Sequence, residues 1–348
     1  MSPEPGSERP TKSSCGFSLR ILRRLGIRLF KVFAMVTLAL LVYVLMYVEF
    51  PTESIIYGKG YNTSDLSRLQ GHDQYIDETS HTPEIIGHRG LAFQSDGDDR
   101  HPIENTEAAI RAAAKADVDR IEIDVRMTGE DEQLFLYHDS TFSSKVDTTS
   151  KETKEKSFRD STWGEVSQVT LKGDSDDKHI PTLTEGLEAA YEVEGYDPQW
   201  VLDIKLEKDE THRDRMKQKL LGELFPSSSK SRLNPSNVTI LGDHDTLHFL
   251  YREGEERLSR EYPCGMIVRL SEKNALRFLL NPSQWITDGQ QISADILVLP
   301  LIFVTEPLIA EAKSAGLKVW VWNCNQPTDQ NRLKHYEVDG LIVDHLPE

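Results

Sequence analysis

Two histidines and a set of spaced acids carry the reactive chemistry available to this chain. His88 closes the apolar stretch Glu84-Ile-Ile-Gly and is followed by Arg89 and Gly90; His138, followed by Asp139, closes Leu134–Tyr137. Between them lie Glu104-Asn-Thr and the alternating Glu122-Ile-Asp124, and later Val201-Leu-Asp-Ile-Lys205. Imidazoles titrate near neutrality, so two can serve as general acid and general base. Residues two apart on a strand share a face, so Glu122 and Asp124 would repel unless a cation sat between them. With Asp203 they make a hard-cation site suited to Mg²⁺ or Ca²⁺. The competing reading is neutralisation by Arg120, Arg126 or Lys205 in structural ion pairs. Arg89 offers a planar fork to a phosphate, and Lys205 a second cation. Glu104 either joins the metal or caps the first helix.

Bringing such distant residues together requires strands that end at one place. From residue 84 onward, short β-rich runs alternate with helical stretches, as in βα units around a parallel sheet. Strands are expected at 84–88, 120–125, 200–206, 238–242, 265–270, 295–300, 318–323 and 340–344. Helices are expected at Asn105–Ala116, Leu183–Tyr191, Glu210–Leu224, Asp245–Glu253, Ser271–Leu280, Glu306–Ala315 and Asp329–Tyr336. Eight strands favour a closed (β/α)₈ TIM barrel, whose active sites lie at the strands' carboxyl ends. An open doubly wound sheet is the alternative, and no glycine-rich phosphate loop supports it. The connection Arg126–Gln133 is too short for a parallel crossover, which needs about a dozen residues or more. It should be a hairpin that folds His138 back beside Asp124. Residues 140–180 form a small insertion after the second strand.

Upstream of the barrel the composition changes. Residues 1–28 read as a disordered basic tail and 29–50 as a transmembrane signal-anchor built on the apolar run Val32–Val48. At about 1.5 Å per residue that helix can span a hydrocarbon core. Arg20, Arg23, Arg24, Arg28 and Lys31 precede it and Glu49 and Glu53 follow. The positive-inside rule therefore leaves the N-terminus cytosolic and the barrel lumenal or extracellular, in a single-pass protein held in the lipid bilayer. A cleaved signal peptide is the rival, without a small-residue cleavage pattern. Residues 51–82 read as a stalk and 83–348 as the barrel. In that orientation Asn62 and Asn237 are glycosylation acceptors by sequon.

The net charge of −17 disfavours a nucleic-acid-binding surface, which needs clustered Lys and Arg. Cys15, Cys264 and Cys324 form neither a disulfide framework nor a zinc spacing, and the last two should be unpaired near opposite barrel ends.

His88-Arg-Gly, Glu104-Asn-Thr, Glu122-x-Asp124 and His138-Asp139, in this order, resemble the glycerophosphodiester phosphodiesterase family. The likeness continues through Ile180-Pro-Thr-Leu-Thr-Glu185, Asp203-Ile-Lys205, Trp322-Asn-Cys-Asn325 and Asp339-Gly-Leu-Ile-Val-Asp344. It implies a (β/α)₈ barrel with His88 and His138 as the acid/base pair. Glu122, Asp124 and Asp203 would hold the divalent metal, with Arg89, Lys205 and Trp322 facing substrate. The implied activity is hydrolysis of glycerophosphodiesters or lysophospholipids by a membrane-anchored, metal-dependent phosphodiesterase. Two alternatives remain: a sphingomyelinase D or lysophospholipase D-like enzyme, and a catalytically silent membrane-tethered binding module. The chain departs from the family pattern in carrying Asp203 where Glu is usual and an extra Ile103 between Pro102 and Glu104. It also stops at Glu348, just after the last strand, so no eighth outer helix is expected.

Overall fold

The computed structural model describes residues 81–92, 102–142, 145–147, 150–173, 175–226, 232–251, 258 and 261–346. The chain enters β1 (Glu84–Gly87), then α1 (Glu107–Lys115), β2 (Arg120–Met127) and β3 (Leu134–Leu136). The insertion carries α2 (Lys151–Glu155), a 3₁₀ turn (Phe158–Asp160) and α3 (Trp163–Val166). Alternation resumes with α4 (Leu183–Tyr191), β4 (Trp200–Ile204), α5 (Glu210–Leu224), β5 (Val238–Gly242), α6 (His244–Leu250) and β6 (Cys264–Ile267). It ends with α7 (Glu272–Leu280), α8 (Gln284–Gln291), β7 (Ile296–Pro300), α9 (Glu306–Ser314), β8 (Lys318–Trp322), α10 (Pro327–His335) and β9 (Gly340–Val343).

The strands fall where the sequence places them, and the sheet closes. β1 runs parallel to both β2 and β9, and the parallel order continues through β4 to β8. A closed eight-stranded parallel barrel results, and the open-sheet alternative is excluded. β3 is the expected hairpin arm, antiparallel to β2 with Val125 opposite Leu136.

Period-two alternation sorts the side chains. Trp200, Leu202 and Ile204 of β4 join the large core under the helices, while Val201 joins Ile86, Leu241, Ile296, Val298, Trp320 and Ile342 inside the barrel. Local capping fixes where helices begin: the side chains of Thr106, Thr182, Asp209 and Thr305 each accept a backbone N–H in the first turn. The insertion has its own small core. Phe158 meets Phe135, Tyr137 and Phe142 edge-on, with ring centroids 5.0, 5.3 and 4.8 Å apart. The additional Ile103 packs against this cluster, so the extra residue ties the insertion to the loop before α1.

The tail 1–28, the segment 29–50, the stalk up to residue 80, Asn62 and Cys15 lie outside the described residues. Among the described residues no helix is long and apolar enough to cross a membrane. Cys264 and Cys324 are buried free thiols, as expected. The sequon at Asn237 needs correction: the residue is 6% exposed, and its amide nitrogen donates to the carbonyl of Arg232 at 3.0 Å. A glycan on that nitrogen would have to break the bond and open the packing.

Candidate active site

Several lumen-facing rows of side chains change from apolar to polar at the carboxyl end of their strands. Ile86 gives way to His88, Val201 to Asp203 and Lys205, Ile267 to Arg269, and Ile342 to Asp344. The polar ends surround one cavity of about 310 Å³. His88, His138, Glu122, Asp124, Asp203, Arg89, Lys205 and Trp322 all line it, so every site residue anticipated from sequence converges there.

The acids come from adjacent strands. Asp124 and Asp203 are direct partners in the β2–β4 register. Glu122, Asp124 and Asp203 are at most 3% exposed, and each offers an oxygen within 4.8 Å of the others. Burial, then the charge of Asp124, push the Glu122 carboxyl up to about 7. Burial also works against ionisation of Asp124, but Lys205 and then Arg89 outweigh it and hold that carboxyl well below its ordinary value. Asp203 is likewise lowered, by Lys205 and Arg269 against its burial. The Lys205 ammonium lies 2.8 Å from Asp124 Oδ1 and also bonds Asp203.

The ion-pair alternative therefore holds in part: Lys205 does engage the acids. Arg120 instead pairs with Glu84 at 2.8 Å and Arg126 with Glu207 at 2.9 Å. The donor set still fits a divalent cation. It is all carboxylate oxygen, buried and mutually within reach, and one of its members is pushed toward protonation by burial and then by its neighbours' charge.

The two histidines are held in matching ways. His88 Nδ1 bonds Asp344 Oδ1 at 2.5 Å, and His138 Nδ1 bonds Asp139 Oδ1 at 2.7 Å. In each ring Nε2 is left as the nitrogen available to a bound substrate. Arg126 clamps the backbone of His138, donating from Nη2 to its carbonyl at 2.6 Å. β3 explains the placement, since the Tyr137 N–H donates to the carbonyl of Asp124 at 3.1 Å.

The turn after β1 aims its own backbone at the acids. Arg89 and Gly90 have φ of 53° and 84°, and the Arg89 N–H donates to Glu122 Oε2 at 2.8 Å. The three residues Glu104-Asn-Thr divide the remaining work. Glu104 accepts from Arg89 Nη1 at 2.7 Å and from Lys145 at 2.5 Å. Asn105 donates to Asp124 Oδ2 at 2.8 Å and accepts from the Asp124 N–H at 3.0 Å. Thr106 caps α1. Glu104 thus neither joins the acid cluster nor caps the helix: it orients the guanidinium.

Sequence reasoning missed Arg269, Asn105, Asp344 and Arg126 as site residues. Arg269 reaches both oxygens of Asp203, at 3.1 and 3.5 Å. It is a second cation on Asp203, beside Lys205. Its place two residues beyond Ile267 on the lumen row was the available signal. Asp344 stood in a quoted motif, and strand closure makes it the neighbour of His88.

Comparison with known proteins gives an independent line. The family model described as "Glycerophosphoryl diester phosphodiesterase family" matches residues 88–348. A curated glycerophosphodiester phosphodiesterase from Caldanaerobacter subterraneus subsp. tengcongensis is 24% identical over 271 residues, 75% of this chain and 93% of its own. A crystal structure from Silicibacter pomeroyi DSS-3 matches with a TM-score of 0.62 at 20% identity, covering 76% of this chain and 91% of that one. An Oleispira antarctica phosphodiesterase, solved with the product sn-glycerol-3-phosphate, matches with a TM-score of 0.58 at 20% identity over 75% and 93%. At these identities the solved structures speak for the fold alone.

Proposed function

This chain belongs to the glycerophosphoryl diester phosphodiesterase family and is a phosphoric diester hydrolase, and from that premise we propose that it hydrolyses glycerophosphodiesters with His88 and His138 as its proton-transfer pair. The observation that carries the reading is the convergence of both imidazoles and all three acids on one cavity at the strands' carboxyl ends. Glu122, Asp124 and Asp203 would hold the divalent ion, Mg²⁺ or Ca²⁺. Bound there, the ion supplies positive charge and polarises a phosphoryl oxygen.

The chain's own groups do the rest. Arg89, oriented by Glu104, offers its guanidinium to the phosphate. Lys205 keeps Asp124 and Asp203 ionised. One imidazole takes the proton of the attacking hydroxyl or water as its oxygen bonds phosphorus. The other gives a proton to the leaving alkoxide as the second P–O bond breaks, so no net proton is gained or lost. Trp322 forms an apolar wall for the glycerol carbons. The backing carboxylates Asp344 and Asp139 fix both ring orientations, which favours the enzyme over the silent binding module.

The apolar run Val32–Val48 and its basic flank support residues 29–50 as a membrane anchor, with the barrel on the lumenal or extracellular side. The full chain in detergent should cleave glycerophosphocholine, lose activity at least 100-fold with EDTA and recover it with Mg²⁺ or Ca²⁺. His138→Ala should lose about 10²–10⁴-fold, the usual range for an acid/base residue. Undiminished turnover after chelation would remove the metal, and undiminished His138→Ala turnover would remove that imidazole from the mechanism.

A further inference from the structure

Among the described residues, the exposed large apolar side chains are concentrated at one place, the start and outer side of α7. Leu270, Leu276, Leu279 and Leu280 are 43, 46, 53 and 75% exposed. The last three repeat at i, i+3, i+4, so they form one ridge along the helix. The opposite side of α7 is attached firmly to the barrel. Phe278 stacks on Phe303 and Trp285 with centroids 5.2 and 6.3 Å away. Asn274 donates to the carbonyl of Arg269 at 2.8 Å, and Arg277 pairs with Asp288 at 2.5 Å. Four leucines held out from a fixed helix are a displayed surface, because soluble proteins seldom leave such a patch without a use.

The position of the ridge indicates its occupant. α7 leaves β6 at the catalytic end of the barrel, and Leu270 itself lines the catalytic cavity. With Ile267, Leu241, Trp322 and Ile342 it makes an apolar path from the ridge toward the acids and imidazoles. A protein seated on the ridge would crowd the mouth through which substrate enters, whereas a lipid surface would supply that substrate. Glu272 and Lys273 on the outer side cancel, and the chain is strongly acidic, so the fit is to a zwitterionic surface. The apolar run ending at Val48 adds a reason for the barrel to work beside a bilayer.

We propose that the leucine ridge of α7, with Leu270, docks the barrel mouth onto a zwitterionic lipid surface, from which the site takes a single-chain phospholipid. The substrate class rests on the phosphodiesterase reading above; the docking does not.

Two measurements on the full chain test it. With Cys15→Ser, a dye on Leu280→Cys is compared with one on Lys318→Cys at the opposite barrel rim, in phosphatidylcholine vesicles carrying nitroxide lipid. The buried Cys264 and Cys324 stay unlabelled. Strong quenching at position 280 and little at 318 supports docking. Equal quenching at both, none at 280, or burial of the 280 dye that follows protein concentration instead of lipid overturns it, the last pointing to a second copy. In the kinetic arm, the double variant Leu276→Asp/Leu279→Asp should keep its turnover of water-soluble glycerophosphocholine. Turnover of lysophosphatidylcholine in vesicles should fall at least tenfold. If the variant cleaves both like the parent, the lipid surface is wrong while the hydrolase reading stands. If the parent cleaves neither, the substrate reading fails, and the quenching arm still decides the docking.

Discussion

An imidazole relays a proton efficiently only when its second nitrogen is held, and His88 owes that to Asp344, far away in sequence. Burial pulls the His88 pKa down, but the Asp344 hydrogen bond and the charge of Glu122 outweigh it, so the net shift is upward. His88 therefore stays protonated to higher pH than a free histidine. The pair stabilises the fold fully below the ordinary value near 6.5 and loses that contribution as pH rises through the raised one. Asp344→Asn should lower the His88 pKa in an NMR titration and reduce kcat by roughly 10–100-fold, the usual cost of losing an orienting partner. An unchanged titration would show that Asp344 does not govern this imidazole. The contrast between these two residues marks what sequence could reveal. His88 and His138 were legible because each closes an apolar strand, and Glu122 and Asp124 because their two-residue spacing puts two acids on one strand face. Asp344, Arg269 and Asn105 act through partners chosen by barrel closure, and local pattern does not encode which strand ends meet.

At the scale of elements, the turn from β1 into the site depends on how closely α1 can approach. Gly90 has φ of 84°, and a Cβ there would stand 2.5 Å from the carbonyl carbon of Ala109 in α1. Gly195 has nearly the same φ, 83°, but a Cβ at that position would meet nothing within 4 Å. Gly195→Ala should then cost only the left-handed backbone penalty, about 1–2 kcal/mol. Gly90→Ala should cost that plus about 1–3 kcal/mol of overlap, and it should weaken activity by shifting Asn105 and Thr106. Urea unfolding of both variants checks the difference; equal losses would mean that α1 simply moves aside. Most elements were readable because caps and apolar periodicity agreed, as at the start of α4, where Thr182 caps the helix and Glu185 in its first turn reaches back to the cap. α8 was not anticipated. It follows α7 after a break at Asn281-Pro282, carries a glycine, and begins at Ser283 without a side-chain cap bond. The insertion was legible as an excursion, but not its aromatic core, whose members meet only across its isolated bridges.

For the whole molecule, the acid cluster couples stability to both pH and metal. Glu122 rises from 4.5 to about 7 on folding. The folded state therefore holds a proton that the unfolded state releases, and the metal-free fold loses stability as pH climbs through that interval. At about 1.4 kcal/mol per unit the loss is roughly 3 kcal/mol. Asp124 and Asp203 run the other way: their lowered values add stability above the ordinary carboxylate range, which disappears as pH falls through the folded values. A divalent ion held by the three acids takes the place of the Glu122 proton, so it should bind more tightly near pH 8 than near pH 6. Ligand linkage then predicts a gain of about 3 kcal/mol at a hundredfold excess over Kd, or a Tm increase on the order of 5 °C. Melting curves with EDTA, Mg²⁺ or Ca²⁺ at the two pH values measure this directly, without any substrate. Glu122→Gln should abolish the metal-induced increase while making the metal-free protein less sensitive to pH. If the ion raises Tm equally at both pH values, or raises it in Glu122→Gln as in the parent chain, then Glu122 is not a ligand. The two aspartates would then have to hold the ion without it.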